Sequence, residues 1–125
     1  MKKVIYTSNA PHPIGPYSQA ILRGNTLYMS GQIAINPENG EMDTASLEQE
    51  THRVMKNIQA VLNEAGMGFS NVVKTTIFLK DMQSFSEVNN IYGSYFESDF
   101  PARETVEVSC LPKNVNVEIS CIAIR

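Results

Sequence analysis

The sequence predicts an α+β domain, a mixed sheet with two helices packed on one of its faces. Three observations carry that expectation. Segments rich in β-branched and aromatic residues stand at both ends of the chain and once in its middle. Two stretches between them place apolar residues at helical spacing. The resulting order is strands, helix, strand, helix, strands, with no repeat, low-complexity tract or composition break, so residues 1–125 read as one domain.

A short strand near residues 3–6 precedes a proline-rich loop, Pro11-His12-Pro13-Ile14-Gly15-Pro16. Residues 18–23 and 26–33 read as a hairpin across Gly24-Asn25, a pair with the right turn chemistry. Pro37-Glu38-Asn39-Gly40 is a turn. The first helix opens on Ser46-Leu47-Glu48-Gln49, which has the form of a capping box. Leu47, Val54, Met55, Ile58, Val61, Leu62 and Ala65 then fall on one stripe, and Gly66 is its stop. Residues 71–80 form a strand of Val, Thr, Ile and Phe. A second capping box, Ser84-Phe85-Ser86-Glu87, predicts a helix whose apolar face is Phe85, Val88, Tyr92, Tyr95 and Phe96. Gly93 inside that helix costs about 1 kcal/mol relative to Ala. After Pro101, residues 103–110 and 115–124 read as two strands linked by Leu111-Pro112-Lys113-Asn114.

Period-2 geometry divides these last strands into two faces. Val106, Val108 and Cys110, with Val115, Val117, Ile119, Cys121 and Ala123, are expected to meet the helices. Arg103, Thr105, Glu107, Asn116, Glu118 and Ser120 are expected on the opposite face, with Ile122 and Ile124 beyond them. A sheet face of that kind is wet or is covered by another subunit. Ile122, Ile124 and the Tyr28 and Ser30 side of the hairpin favour a partner.

Bulk properties narrow the function classes. The net charge is −3 and the ten Lys and Arg residues are scattered, which speaks against a phosphate-binding stripe. No apolar run reaches membrane-spanning length, and Lys2-Lys3 is followed by too short an apolar stretch for a signal-peptide core, so a cytoplasmic protein is expected. Two cysteines make no disulfide framework, and both read as small buried hydrophobes. His12 and His52 lack partners at metal-ligand spacing and read as structural, so no metal is expected.

Four features are candidates for chemistry on the polar face. Arg103, just after a proline turn, is a rigidly mounted fork for a carboxylate. Glu118 lies on the neighbouring strand, Tyr17 follows the Gly15-Pro16 turn, and Ser30-Gly31 sits where a glycine lets a ligand or backbone approach. An arginine with a nearby glutamate is ordinarily a structural ion pair; as a site, one candidate among several, Arg103 would anchor a small carboxylate and Glu118 would orient or deprotonate a water.

Larger motifs bear on that choice. Gly15-Pro16-Tyr17-Ser18-Gln19-Ala20, Ser30-Gly31-Gln32-Ile33, Val73-Lys74-Thr75-Thr76-Ile77-Phe78, Pro101-Ala102-Arg103 and Leu111-Pro112-Lys113 with Val117-Glu118-Ile119 span essentially the whole chain. In this order and spacing they resemble the RidA (YjgF) family. The resemblance implies a chorismate-mutase-like fold and a homotrimer with sites between subunits. It also implies cofactor-free hydrolysis of 2-imino acids and their enamines, chiefly 2-iminobutanoate and 2-iminopropanoate, to 2-oxo acids and ammonia, sparing pyridoxal-phosphate enzymes. By the same resemblance Arg103 binds the substrate carboxylate and Glu118 positions the attacking water. Tyr17, Ser30, Gly31, Asn89 and Thr105 line the pocket. Thr105 stands where many relatives have cysteine, and Ser120-Cys121 where relatives often have Glu-Ala. The alternatives are a small-carboxylate-binding or regulatory trimer without turnover and an RNA-directed translation inhibitor. A chorismate-mutase activity would require more than one cation in the pocket.

Overall fold

The apolar segments pair into one six-stranded sheet, described over residues 1–125 in a computed structural model. Strands β1 (Lys2–Ile5), β2 (Ala20–Arg23), β3 (Thr26–Gln32), β4 (Val72–Leu79), β5 (Ala102–Glu107) and β6 (Val117–Ile124) lie in the order β1-β2-β3-β6-β4-β5. Every neighbouring pair is antiparallel except β4 and β5. Helices α1 (Leu47–Glu64) and α2 (Phe85–Gly93) pack together on one face. The architecture is the mixed-sheet α+β domain that the residue pattern predicts.

Helix α1 forms for reasons visible in the chain. The Ser46 hydroxyl accepts the Gln49 N–H at 3.0 Å. At the other end, Gly66 takes φ +72°, the Met67 N–H donates to Leu62 O and the Gly66 N–H to Asn63 O. This is a Schellman stop, which a residue without Cβ makes cheaply. Val54, Met55, Ile58, Val61 and Leu62 are buried against Leu27, Ile77, Leu79, Val117, Ile119 and Ala123 of the sheet.

Helix α2 departs from expectation at both ends. Ser84 has helical φ/ψ (−76°, −7°) and its side chain caps nothing. The cap lies earlier, where Asp81 accepts the Gln83 N–H at 2.9 Å and opens a short 3₁₀ turn that runs into the helix. The second capping box is therefore absent, because Ser84 is already inside a helical turn. The helix also ends at Gly93, so that glycine is terminal, and Tyr95 and Phe96 pack on the core from beyond the helix.

The two sheet faces divide as expected along β6, where Val117, Ile119, Cys121 and Ala123 are buried and Glu118, Ser120 and Ile122 lie on the open face. Along β5 the assignment is reversed. Arg103 pairs in register with Thr75, and Thr105 with Ile77, on the helix side. Val106 pairs with Phe78, opposite Glu118, on the open face and is 39% exposed. Cys110, expected to be buried, is exposed beyond the strand. The reason is positional. β5 is the sheet edge, and above it α2 presents Phe85, Asn89 and Tyr92, an environment that suits a guanidinium. The open face keeps an apolar band, with Val4, Tyr28 and Ile124 exposed beside Ile21 and Ile122.

Candidate functional site

On the open side of the sheet, a cleft of about 460 Å³ is lined by Tyr17, Ser30, Gly31 and Glu118, with His12 and Lys113 at its margins. Each of these is positioned by backbone chemistry. Gly15, at φ +123°, and Pro16 make a tight turn in which the Tyr17 N–H donates to Gly15 O at 2.9 Å, leaving the ring exposed at the cleft. The Ser30 hydroxyl donates to Ser18 O at 2.6 Å, and the Ser30 N–H to Gln19 O at 2.9 Å. Ser30 thus fixes the Tyr17-Ser18 backbone, with its hydroxyl proton committed there.

Gly31 has a more specific reason than ligand approach. A Cβ built on it would overlap Glu118 Oε2 and fall 2.7 Å from Cδ and 2.9 Å from Cγ. The Glu118 carboxylate rests directly on the glycine backbone, in a space that any other residue would fill. Glu118 is half-buried and makes no hydrogen bond or ion pair within the chain. Burial raises its pKa above the ordinary carboxylate range. A carboxylate with that environment is suited to accept a proton from water.

The second cleft, about 430 Å³, opens on the other side at the sheet edge, between α2 and β5. Arg103 Nη1 donates to Asn89 Oδ1 at 2.6 Å. The guanidinium carbon stands 5.3 Å from the Tyr92 ring centroid and 5.5 Å from that of Phe85. Tyr92 is itself buried and shares a 2.7 Å hydrogen bond with Thr75. Burial raises the Tyr92 pKa, against smaller opposing effects of Thr75 and Arg103, so the phenol stays neutral beneath the cation. Two rings and one neutral amide hold this cation without neutralising it. The ion pairs of the chain are Arg53–Asp43 and Lys74–Glu104, neither of which involves Arg103. Thr105 follows two residues on along the same face, with a buried Oγ1 that has no hydrogen-bond partner.

The predicted residues therefore fall into two groups. Tyr17, Ser30, Gly31 and Glu118 share one cleft; Arg103 and Asn89 share the other, with Thr105 on the same side of the sheet. Arg103 and Glu118 lie on opposite faces, so they are not an ion pair of one chain and do not converge within it. His12 is exposed at the first cleft, 3.4 Å from the Tyr6 hydroxyl. His52 bonds Tyr95 at 2.7 Å.

Three buried polar residues that support the backbone around the first cleft were not among the predicted site residues. Gln19 is buried and accepts the Thr7 N–H at 2.8 Å while donating to Thr7 O and Pro11 O, which ties down the proline-rich loop. Asn57 donates to Ile33 O and Ile35 O, both at 3.0 Å. Glu50 binds the entrance of β6. Glu50 and Asn57 share one signal, since each falls within the apolar stripe of α1, where a polar residue must find partners.

Fold and clefts together define a small mixed-sheet α+β domain with concavities of small-molecule size, one holding Glu118 and another holding Arg103. The chain belongs to the Endoribonuclease L-PSP family, the RidA family, whose model matches residues 7–125. It is 45% identical to the human 2-iminobutanoate/2-iminopropanoate deaminase over 125 residues, covering 100% of this chain and 91% of the relative. Among solved structures it is similar to YyfA of Yersinia pestis, described as a Rid family protein of unknown function, at 52% identity and TM-score 0.97 with 100% of both chains covered. It is also similar to Escherichia coli TdcF with bound serine, at 35% identity and TM-score 0.94 with 98% of both chains covered.

Proposed function

We propose that the protein is a cofactor-free deaminase that hydrolyses small 2-imino acids such as 2-iminobutanoate and 2-iminopropanoate. The observation that carries this reading is an uncompensated guanidinium, held by two rings and an amide in a cleft, in a chain 45% identical to a protein named for that reaction. Arg103 would take the substrate carboxylate in bidentate fashion, each charge-assisted bond contributing about 1.5–3 kcal/mol. Glu118 would accept a proton from water as the oxygen attacks the imine carbon. Glu118 then returns that proton to the nitrogen of the resulting carbinolamine, the C–N bond breaks as the hydroxyl becomes the carbonyl and passes its proton to the departing ammonia, and the 2-oxo acid and ammonium leave. A protonated imine is already electrophilic, so positioning supplies much of what is required.

Because Arg103 and Glu118 lie on opposite sheet faces, the reaction requires a second copy of the chain. The Arg103 cleft of one protomer would close against the Glu118 cleft of the next, and a ring of three copies gives each subunit one of each. The apolar band at Val4, Tyr28 and Ile124 supports coverage of the open face by partners.

The test is a coupled assay. Threonine dehydratase generates 2-iminobutanoate, and semicarbazide traps what remains. The protein is expected to lower trapping and speed 2-oxobutanoate formation, and Arg103→Ala is expected to abolish both. Equal trapping with and without the protein would reject deamination. That result would favour the second reading, binding of a small carboxylate without turnover, which the serine complex of TdcF supports. An RNA-directed role has less support, since the net charge is −3 and Lys74 and Arg53 are already paired with acids.

A further inference from the structure

Glu50 is a fully buried carboxylate in the first turn of α1. Its Oε2 accepts the backbone N–H groups of Asn116 at 2.7 Å and Val117 at 3.1 Å, and its Oε1 accepts the Asn116 side-chain amide at 2.8 Å. No cation pairs with it. All three partners are N–H donors, an arrangement complementary to a carboxylate.

The place of this contact explains why it exists. Pairing of β3 with β6 ends at Gln32 and Ile119, whereas β4 continues beside β6 to Leu79 and Val117. Residues 116–118 thus have a strand on one side only. The Glu50 carboxylate satisfies the buried backbone groups on a segment that lacks a second strand.

What lies on either side of the contact gives it functional weight. Upstream, Lys113 and Asn114 are both left-handed, at φ 53° and 55°. Non-glycine residues keep that conformation where their surroundings over-determine it. Here the Asn114 N–H donates to Leu111 O, Lys80 Nζ reaches Asn114 Oδ1 at 2.8 Å, and the Lys80 N–H donates to Asn116 O at 3.0 Å. Downstream, Glu118 is the next residue after Val117. Lys113 and Glu118, the two ends of this segment, line the same cleft.

We propose that Glu50 is a positioning residue, anchoring residues 113–118 from inside the protein so that the Glu118 carboxylate stays seated on Gly31. The proposal rests on the reading of Glu118 as the group that activates water. Glu50 itself does not line the cleft.

The test uses the full-length protein with Glu50→Ala, Glu50→Asp and Glu50→Gln. Glutamine can offer its oxygen to the two backbone donors, while the Asn116 amide turns over to offer its own oxygen to the new NH₂ group. Aspartate keeps the charge but is one methylene short. Three readouts are taken at a temperature where each variant is folded: ¹³C-detected titration of the Glu118 carboxyl, deuterium exchange at the Asn116 and Val117 amides, and the rate of 2-oxobutanoate formation. His12, Tyr17 and Lys113, the other ionisable groups lining the Glu118 cleft, are unaltered, as is Arg103 of the adjoining protomer, which the proposed assembly brings to that cleft.

Ala and Asp are expected to speed exchange and lower the deamination rate, each about tenfold, the effect of losing a hydrogen bond to a charged group. In both, the Glu118 titration moves toward the ordinary carboxylate value as its seat loosens. Gln is expected to restore all three readouts. An unaltered Glu118 titration in a folded Ala or Asp variant overturns the proposal, as does a folded Gln variant that behaves like Ala. Should Ala fail to fold, the Asp and Gln pair decides. A wild-type protein without turnover would reject deamination, while the titration and exchange measurements would still decide the role of Glu50.

Discussion

The Arg103 cleft and the Glu118 cleft hold opposite charges by opposite means. Arg103 lies on the helix side of the edge strand, with its cation stacked between Phe85 and Tyr92 and steadied by the Asn89 amide. Glu118 lies on the open side of an interior strand, and its carboxylate has no hydrogen-bonding partner in the chain and rests on a glycine. The first arrangement fixes a group that, on the proposed reading, grips the substrate. The second leaves free a group that, on the same reading, exchanges a proton. The comparison teaches that a sheet can carry a held cation and an unpaired carboxylate on its two faces, which on the proposed reading form one site where copies of the chain meet.

The largest expected effect comes from the gripping side. Arg103→Ala should lower 2-oxobutanoate formation about 10²–10⁴-fold, the loss of two charge-assisted bonds. Arg103→Lys should also be severely impaired, since an ammonium lacks the planar fork. Circular dichroism should show both variants folded; full activity in either would break the contrast.

Gly31→Ala acts on the other side without touching a charge. The new methyl group must displace the end of the Glu118 side chain, so activity should fall about 10²-fold or more, as for loss of a general base. Thermal melting should change little, because the displaced atoms are the end of a flexible side chain. A substrate-steady rate in Gly31→Ala would contradict the seat assigned to Glu118.

Smaller effects sharpen the comparison. Asn89→Ala should leave Arg103 stacked and raise the apparent KM about tenfold, for one lost charged-group hydrogen bond, with kcat nearly unchanged. An unaltered KM would remove Asn89 from the account. The raised pKa of Glu118 has two consequences. Burial raises the Glu118 carboxyl above the ordinary carboxylate value of about 4.3 and a facing guanidinium opposes that rise, so Glu118 should titrate higher in Arg103→Ala than in the wild-type assembly. For stability, a raised folded pKa means that the Glu118 contribution is present below the unfolded pKa and lost as pH rises through the folded one. Made in the Arg103→Ala background, where no guanidinium faces the carboxyl, Glu118→Gln should therefore melt with its parent below about pH 4 and slightly above it at neutral pH, by less than about 1 kcal/mol because the group is half exposed. A neutral-pH loss of stability would oppose that sign. The smallest test concerns the thiols. Burial pushes Cys121 up to about 12, so a maleimide should label Cys110 in the native protein and Cys121 only after unfolding.

The strand-helix order and the core stripe of α1 were legible because burial imposes a period that survives in the residues. Tyr17, Ser30, Gly31 and Glu118 were legible as candidates because a glycine in a strand and a polar residue on an apolar strand both require explanation. The side of the sheet taken by Arg103 was not. Alternation along β5 separates Arg103 from Val106, but which of them faces the helices depends on what α2 presents there. That is a tertiary fact, and a valine-rich edge strand suggests the wrong answer. Cys110 was misread for the same reason. Glu50 and Asn57 were overlooked because a stripe is read for its apolar members, although a carboxylate between Leu47 and Val54 marks a buried contact.

The central claim is that one chain's arginine works with another chain's glutamate, and mixing two inactive variants tests it most directly. Arg103→Ala and Glu118→Gln, unfolded together in equal amounts and refolded, should regain about a quarter of wild-type deamination, because one interface in four then joins an intact arginine to an intact glutamate. If the mixture forms hybrid oligomers and stays as inactive as its components, the two clefts do not form one site.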